Sequence, residues 1–201
     1  MSLTPEFELD LWNAWIFMLY WILSNVLPLL LSGWLIDKEV LKKGSGTETL
    51  SETEKKVSYA ISLLPFVLFA YSVFLPLKLG TIWFFAGLIV YLLGAIIMTA
   101  GMLSFFTTAV DKLVTKGVYR FSRNPIYFGM FLIFGGTGIA CVSWVFLLIT
   151  AVFIIVLGIF IVTEERSCLQ KYGDAYREYM NRTPRWIGIP KPEKKRLGAR
   201  A

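Results

Sequence analysis

Glu164 and Glu165, adjacent carboxylates at the end of a long apolar run, are the side chains in this sequence best suited to chemistry. Such a pair can hold a cation, accept hydrogen bonds from hydroxyls, or take a proton from an amine. Left in water it is ordinary interfacial charge paired with Arg166 or Arg123; buried, it requires a cation or hydrogen-bond donors. Near a helix C terminus it also opposes the helix dipole. A second set lies in "VYRFSRNPIYFG", Val118 to Gly129, where Arg120, Arg123, Asn124, Tyr119 and Tyr127 stand between a basic loop and an apolar stretch. Asn124 suits an N-cap and Pro125 the first helical position, so this stretch also reads as a plain helix start. The tyrosines would then be interfacial aromatics and the arginines topological charges. A third set, Leu169, Tyr172, Tyr176 and Tyr179, recurs at three- and four-residue spacing, an amphipathic helix bent at Gly173. It either lies on a membrane surface or lids a pocket.

What the chain lacks narrows the chemistry further. It has no histidine, which removes the commonest general base and metal ligand. Its two cysteines, Cys141 and Cys168, are expected on opposite sides of a bilayer, so neither a disulfide nor a thiolate metal site is expected.

The elements that must position these groups are apolar. Of 201 residues 56% are hydrophobic and 17% charged, and the mean hydropathy is +0.63, a membrane protein's composition. The net charge of +6 therefore reads as topology and lipid attraction, with no nucleic acid implied. Leu11–Ile36 has the length of one tilted span, kinked at Pro28 and Gly33. A polar loop, Asp37–Ser58, follows, in which Ser51 and Glu54 form a capping-box pattern. Tyr59–Leu77 is a second span and Thr81–Leu103 a third. In the third, Gly87, Gly94 and Gly101 recur every seven residues, a smooth face for close helix packing. After a polar stretch, Phe105–Arg123, the run Asn124–Val162 is too long for one helix; "GGTGIACVS", Gly135–Ser143, supplies a turn and makes it a hairpin of spans four and five. No signal-peptide pattern precedes the first span.

Lysine and arginine counts give the orientation. The N-terminal flank has none and the connection between spans two and three only Lys78. The first loop has five, the Phe105–Arg123 stretch four, and the tail from Glu164 onward ten. Five spans with the N terminus outside put every basic segment in the cytoplasm. The expected fold is thus an all-α, multi-pass integral membrane protein of about five transmembrane helices, with a cytoplasmic amphipathic C-terminal helix.

The order of these motifs resembles the isoprenylcysteine carboxyl methyltransferase and phospholipid methyltransferase group of integral membrane enzymes. That pattern runs through Leu113, Val114, Gly117 and Tyr119, then Arg123, Asn124, Pro125, Tyr127 and, one position late, Gly129. After the hairpin come Glu164, Glu165, Tyr172, Gly173, Tyr176, Tyr179, Pro184 and Arg185. The resemblance covers roughly Gly101 to Pro190. It implies one membrane domain over 1–201: N-terminal scaffold spans over 1–78, a methyltransferase core over 79–190 and a basic tail over 191–201.

The resemblance further implies S-adenosylmethionine bound on the cytoplasmic side without a Rossmann domain, and no G-x-G-x-x-G element follows a strand pattern here. Carried over residue by residue, the cofactor contacts are Asp111, Lys112, Leu113, Val114, Tyr119, Asn124, Pro125, Ile126, Tyr127, Glu164 and Glu165. The helix start after Asn124 would offer amide hydrogens to the cofactor's carboxylate, the acidic pair would take its ammonium or ribose hydroxyls, and an aromatic face would meet the sulfonium. Glu164 and Glu165 are the candidate catalytic groups, Arg123 the candidate substrate contact. The partner is a membrane lipid or lipidated substrate.

Two departures bear on the acceptor. Asn124 stands where many carboxyl-methylating members have histidine, and Phe160 where isoprenylcysteine enzymes place an arginine for the substrate carboxylate. Both favour a phospholipid amine over a prenylcysteine carboxylate. The alternatives are isoprenylcysteine carboxyl O-methylation, a sterol-reductase-like enzyme, or a non-catalytic membrane adaptor.

Overall fold

The computed structural model describes residues 10–30 and 52–191. The expected capping box at Ser51, most of the first polar loop, the far end of the first span and the tail beyond Lys191 lie outside the described residues. Those described are all-helical and contain no strand: α1 Trp15–Leu30, α2 Glu52–Ser72, α3 Ile82–Phe106, a 3₁₀ turn Gly117–Arg120, α4 Pro125–Ala140, α5 Trp144–Tyr172 and α6 Asp174–Arg182.

Two of these helices, α3 and α5, are long and apolar enough to cross a membrane. At 1.5 Å per residue they reach about 38 and 44 Å, beyond the ~30 Å of a hydrocarbon core. Leu92, Ile96, Leu148, Ile155 and Ile159 point outward from them, as lipid-facing side chains would. The apolar parts of α1 (Trp15–Pro28) and α2 (Ser62–Ser72), and all of α4, are shorter apolar helices.

The glycine heptad of α3 has its expected use. Gly87, Gly94 and Gly101 are buried against α4. Glycines of α4 answer them: a Cβ on Gly94 would lie 2.7 Å from the Gly129 carbonyl oxygen, and one on Gly136 would lie 2.5 Å from the Tyr91 amide nitrogen. Backbone meets backbone, which larger residues forbid. On the other side α1 is tied to α3 by the Tyr91 hydroxyl, donating to the Phe17 carbonyl at 3.0 Å, and by the Tyr20 hydroxyl, donating to Ala95 at 3.0 Å. Phe134, Phe146 and Phe153 fill the centre.

Several boundaries differ from the expected ones. The second helix begins earlier than Tyr59 and ends at Ser72 rather than Leu77. After a turn at Val73 and Phe74, the chain pairs over Leu75–Leu77 with the residues just before α1: Ala14 N–H donates to Leu75, Leu77 N–H to Trp12, and Asn13 bridges Pro76. The hairpin turn is not the whole of Gly135–Ser143. Helix α4 continues through Gly135, Gly136 and Gly138, which pack against α3 or α5 or sit without strain, and the turn is confined to Cys141–Ser143, with Val142 in the left-handed region. Ser143 then caps α5 by accepting from the Phe146 amide. Finally, α5 does not stop near Val162. It runs unbroken through the acidic pair to Tyr172, and the chain turns at Gly173, whose φ of +55° suits glycine.

Candidate functional site

At the end of the bundle where α3 stops and α4 begins lies a cavity of about 410 Å³, within the usual range for small-molecule sites. Its position follows from local packing. Gly101 lets Pro125 and Ile126 come close against α3, so the first turn of α4 is pressed inward. Tyr127, in that turn, then faces α5. Its hydroxyl donates to Glu164, 2.9 Å from each carboxylate oxygen.

Successive positions on a helix are turned about 100° apart, and the acidic pair is divided accordingly. Glu164 meets Tyr127. Glu165, with a side chain 6% exposed, is gripped by two guanidinium groups: Arg123 Nη2 at 3.2 Å, and Arg185 through Nη2 at 2.7 Å and Nε at 3.3 Å. The Glu165 hydrogen bond holds Arg185 above its ordinary value, so this cation stays charged. Arg185 was the partner sequence reasoning missed, although it stood in the quoted motif. Arg166, the other partner the sequence offers, is exposed.

The segment after α6 is stitched to the loop before α4. Arg123 N–H donates to Pro184 at 3.0 Å and Gly188 N–H to Phe121 at 2.9 Å. The Tyr179 hydroxyl donates to the Tyr119 carbonyl at 2.7 Å. Asn124 occupies the N-cap position of α4, but its side chain makes no capping bond. Its Nδ2 donates instead to the Arg185 carbonyl at 3.2 Å, because the tail offers an acceptor there. The expected side-chain cap is therefore replaced by a tertiary contact.

Of the candidate residues, Leu113, Val114, Tyr119, Arg123, Asn124, Ile126, Tyr127, Glu164 and Glu165 line the cavity. Asp111 and Lys112 are exposed and outside its wall, and Pro125 is buried against Gly101 rather than lining it. Tyr172, Tyr176 and Tyr179 line one side of the cavity. Burial pushes the hydroxyls of Tyr119, Tyr176 and Tyr179 above the usual phenol value, so all three remain neutral.

Other lining residues were not foreseen. Ser167, Cys168 and Lys171 join Glu164 and Tyr172 on one face of α5. That face follows the i, i+3, i+4, i+7, i+8 rule, and becomes legible once the helix is known to continue past Val162. Met102, Phe105 and Phe106 supply an apolar wall from α3. Asn25 joins from α1, a helix read as motif-free scaffold.

As a binding site the cavity offers a carboxylate oriented by a phenol, several aromatic faces, and a buried Arg123 Nε–H with no hydrogen-bond partner among the described residues. That set suits a ligand carrying both a cation and polar acceptors. The model of a family described as phospholipid methyltransferase matches residues 75–175, a segment spanning α3 to α5 and most of the cavity wall. Comparison with curated proteins gives no match.

Proposed function

The chain belongs to the phospholipid methyltransferase family, part of the integral membrane methyltransferases that include the isoprenylcysteine carboxyl methyltransferases, and from that premise we propose that it is an S-adenosylmethionine-dependent enzyme methylating a membrane-embedded acceptor, a phospholipid amine being favoured. The observation that carries this reading is the Tyr127–Glu164 pair on the cavity wall. Residue chemistry fits the cofactor: Glu164 for its ammonium or ribose hydroxyls, tyrosine faces for its sulfonium, and the Arg123 Nε–H for an acceptor oxygen.

Bound S-adenosylmethionine supplies a methyl group whose sulfur leaves as a neutral thioether. The protein's own task is alignment and exclusion of water. Met102, Phe105, Phe106 and Ile126 give an acyl chain an apolar wall leading toward the polar end. An ammonium acceptor must lose a proton before it can attack, and Glu164 is the candidate base because Glu165 is already held by two guanidinium groups. The same grip favours the amine over a prenylcysteine carboxylate. Arg123 spends its Nη2 on Glu165, and Phe160, where the prenylcysteine enzymes place an arginine, packs on the hydrophobic core; the Arg123 Nε–H and Lys171 also stand on the cavity wall. In this reading the five-span orientation holds, with the cavity and C terminus cytoplasmic.

Glu164→Gln is expected to weaken S-adenosylmethionine binding roughly tenfold to a hundredfold, since a hydrogen bond to a charged group contributes about 1.5–3 kcal/mol. Binding of labelled cofactor to the detergent-purified chain measures it; an unchanged titration curve removes Glu164 from the cofactor contacts, and methyl transfer by the same variant at saturating cofactor tests its role as base. No cofactor binding by the wild type would leave the reductase and adaptor readings. For the acceptor, phosphatidylethanolamine and a farnesylated cysteine analogue are offered under matched detergent conditions and labelled methyl incorporation is compared. Methylation of the lipid amine is expected to dominate; esterification of the analogue alone would overturn the choice of acceptor and leave the family intact.

A further inference from the structure

A second cleft, of about 630 Å³, lies behind the cavity and shares the Leu113 and Tyr179 walls with it. Three separate segments bring a cation to it: Arg120 from the 3₁₀ turn, Arg182 from the end of α6, and Lys191 from the segment that follows. Among the described residues Glu178 is the one acid on its wall, bonded to Arg182 at 3.4 Å. The cleft is therefore net positive, and the hydroxyls of Thr115 and Thr183 stand among its lining. By sequence the ten residues after Lys191 add four more lysines and arginines against one glutamate.

Beside these cations stand apolar side chains turned outward. Phe121 follows Arg120 directly, and Ile187 and Ile189 lie just before Lys191. All three are exposed, Ile189 at 90%. The Gly188–Phe121 hydrogen bond holds these two segments side by side, so the exposed side chains form one edge. Both segments lie at a bundle end: the loop leaves α3, a helix long enough to span a bilayer, and returns at Pro125. Exposed apolar side chains next to converging cations are the arrangement that sits at a bilayer surface, the former in the acyl boundary and the latter at phosphate level.

We propose that this cleft binds the phosphate headgroup of an anionic phospholipid of the surrounding leaflet, with Arg120 and Lys191 as its principal cations and Phe121, Ile187 and Ile189 seated among the acyl chains. The site is separate from the methyl-transfer cavity and does not depend on the function proposed for that cavity. A lipid held there bridges the 3₁₀ turn, α6 and the tail, the elements that close the cavity from outside.

The test uses the purified full chain in neutral detergent micelles, with phosphatidylglycerol or phosphatidylcholine added and bound lipid counted by native mass spectrometry. Wild type is expected to retain phosphatidylglycerol in preference to phosphatidylcholine. The double variant Arg120→Gln/Lys191→Gln should lose about an order of magnitude in that retention, as two interfacial cations are removed. Ile189→Ser, a change at an exposed side chain, should lower it as well while leaving the melting temperature unchanged. Equal retention of the two lipids, or wild-type retention by both variants, would overturn the proposal. Full displacement by millimolar inorganic phosphate, with Ile189→Ser behaving as wild type, would make the cleft a free-anion site and overturn the lipid assignment. No arm requires methyl transfer, so this proposal and the catalytic one fail separately.

Discussion

Glu165→Gln is expected to unfold the cavity end of the protein, lowering the melting temperature where Glu164→Gln does not. The physical reason is that Glu165 is the shared anion of two guanidinium groups, one of them on Arg123, whose side chain is only 9% exposed. Removing one partner of a buried pair typically costs about 3–5 kcal/mol, because the remaining charge is left without compensation. Most of that cost should come from Arg123; the Arg185 contact, with a side chain 40% exposed, is partly screened by water. The same substitution frees the segment around Arg185, so limited proteolysis after α6 should speed up as well. Arg185→Gln should give a smaller loss of stability, since Glu165 then keeps Arg123. If Glu165→Gln melts with the wild type while losing cofactor affinity, Glu165 is a binding group and the Arg123–Glu165–Arg185 clasp has no structural weight.

The second large effect concerns neighbouring glycines that look alike in sequence. Gly136→Ala is expected to destabilise the α3–α4 pair, whereas Gly135→Ala should be neutral or slightly stabilising. A Cβ at Gly136 would lie 2.5 Å from the Tyr91 amide nitrogen and 2.6 Å from the Gly87 carbonyl oxygen; at Gly135 nothing lies within 4 Å. Overpacking costs about 1–3 kcal/mol where side chains can yield, and backbone yields less than side chains do. Gly135→Ala meets no such clash and removes a helix-interior glycine, a change worth about 0.5–1 kcal/mol in the opposite direction. Thermal melts of both variants in detergent, with gel filtration to check the folded fraction, read the sign difference. Equal melting temperatures would mean that α3 and α4 are not packed in this register.

The amino-acid sequence by itself determined that the chain is helical and apolar, that α3 and α4 start close to Thr81 and Asn124, and that α3 carries a glycine face. These features are local: hydrophobic run length, a proline at the first turn and a seven-residue repeat act through neighbours along one helix. The motif order also brought Tyr127, Glu164 and the tyrosines of α6 into consideration together. Tertiary structure decided what each of them does. Glu164 and Glu165 are indistinguishable as letters, and only the rotation of an unbroken α5 against α4 and the tail gives one to Tyr127 and the other to Arg123 and Arg185. Asn124 was legible as a cap position, but its amide is spent on the Arg185 carbonyl, an acceptor sixty-one residues away that no helix rule supplies. The end of α2 at Ser72 and the place of Asn25 in the cavity wall were hidden for the same reason. A partner distant in the chain provides the competing hydrogen bond or the facing wall, and periodicity within a single helix carries no information about that partner.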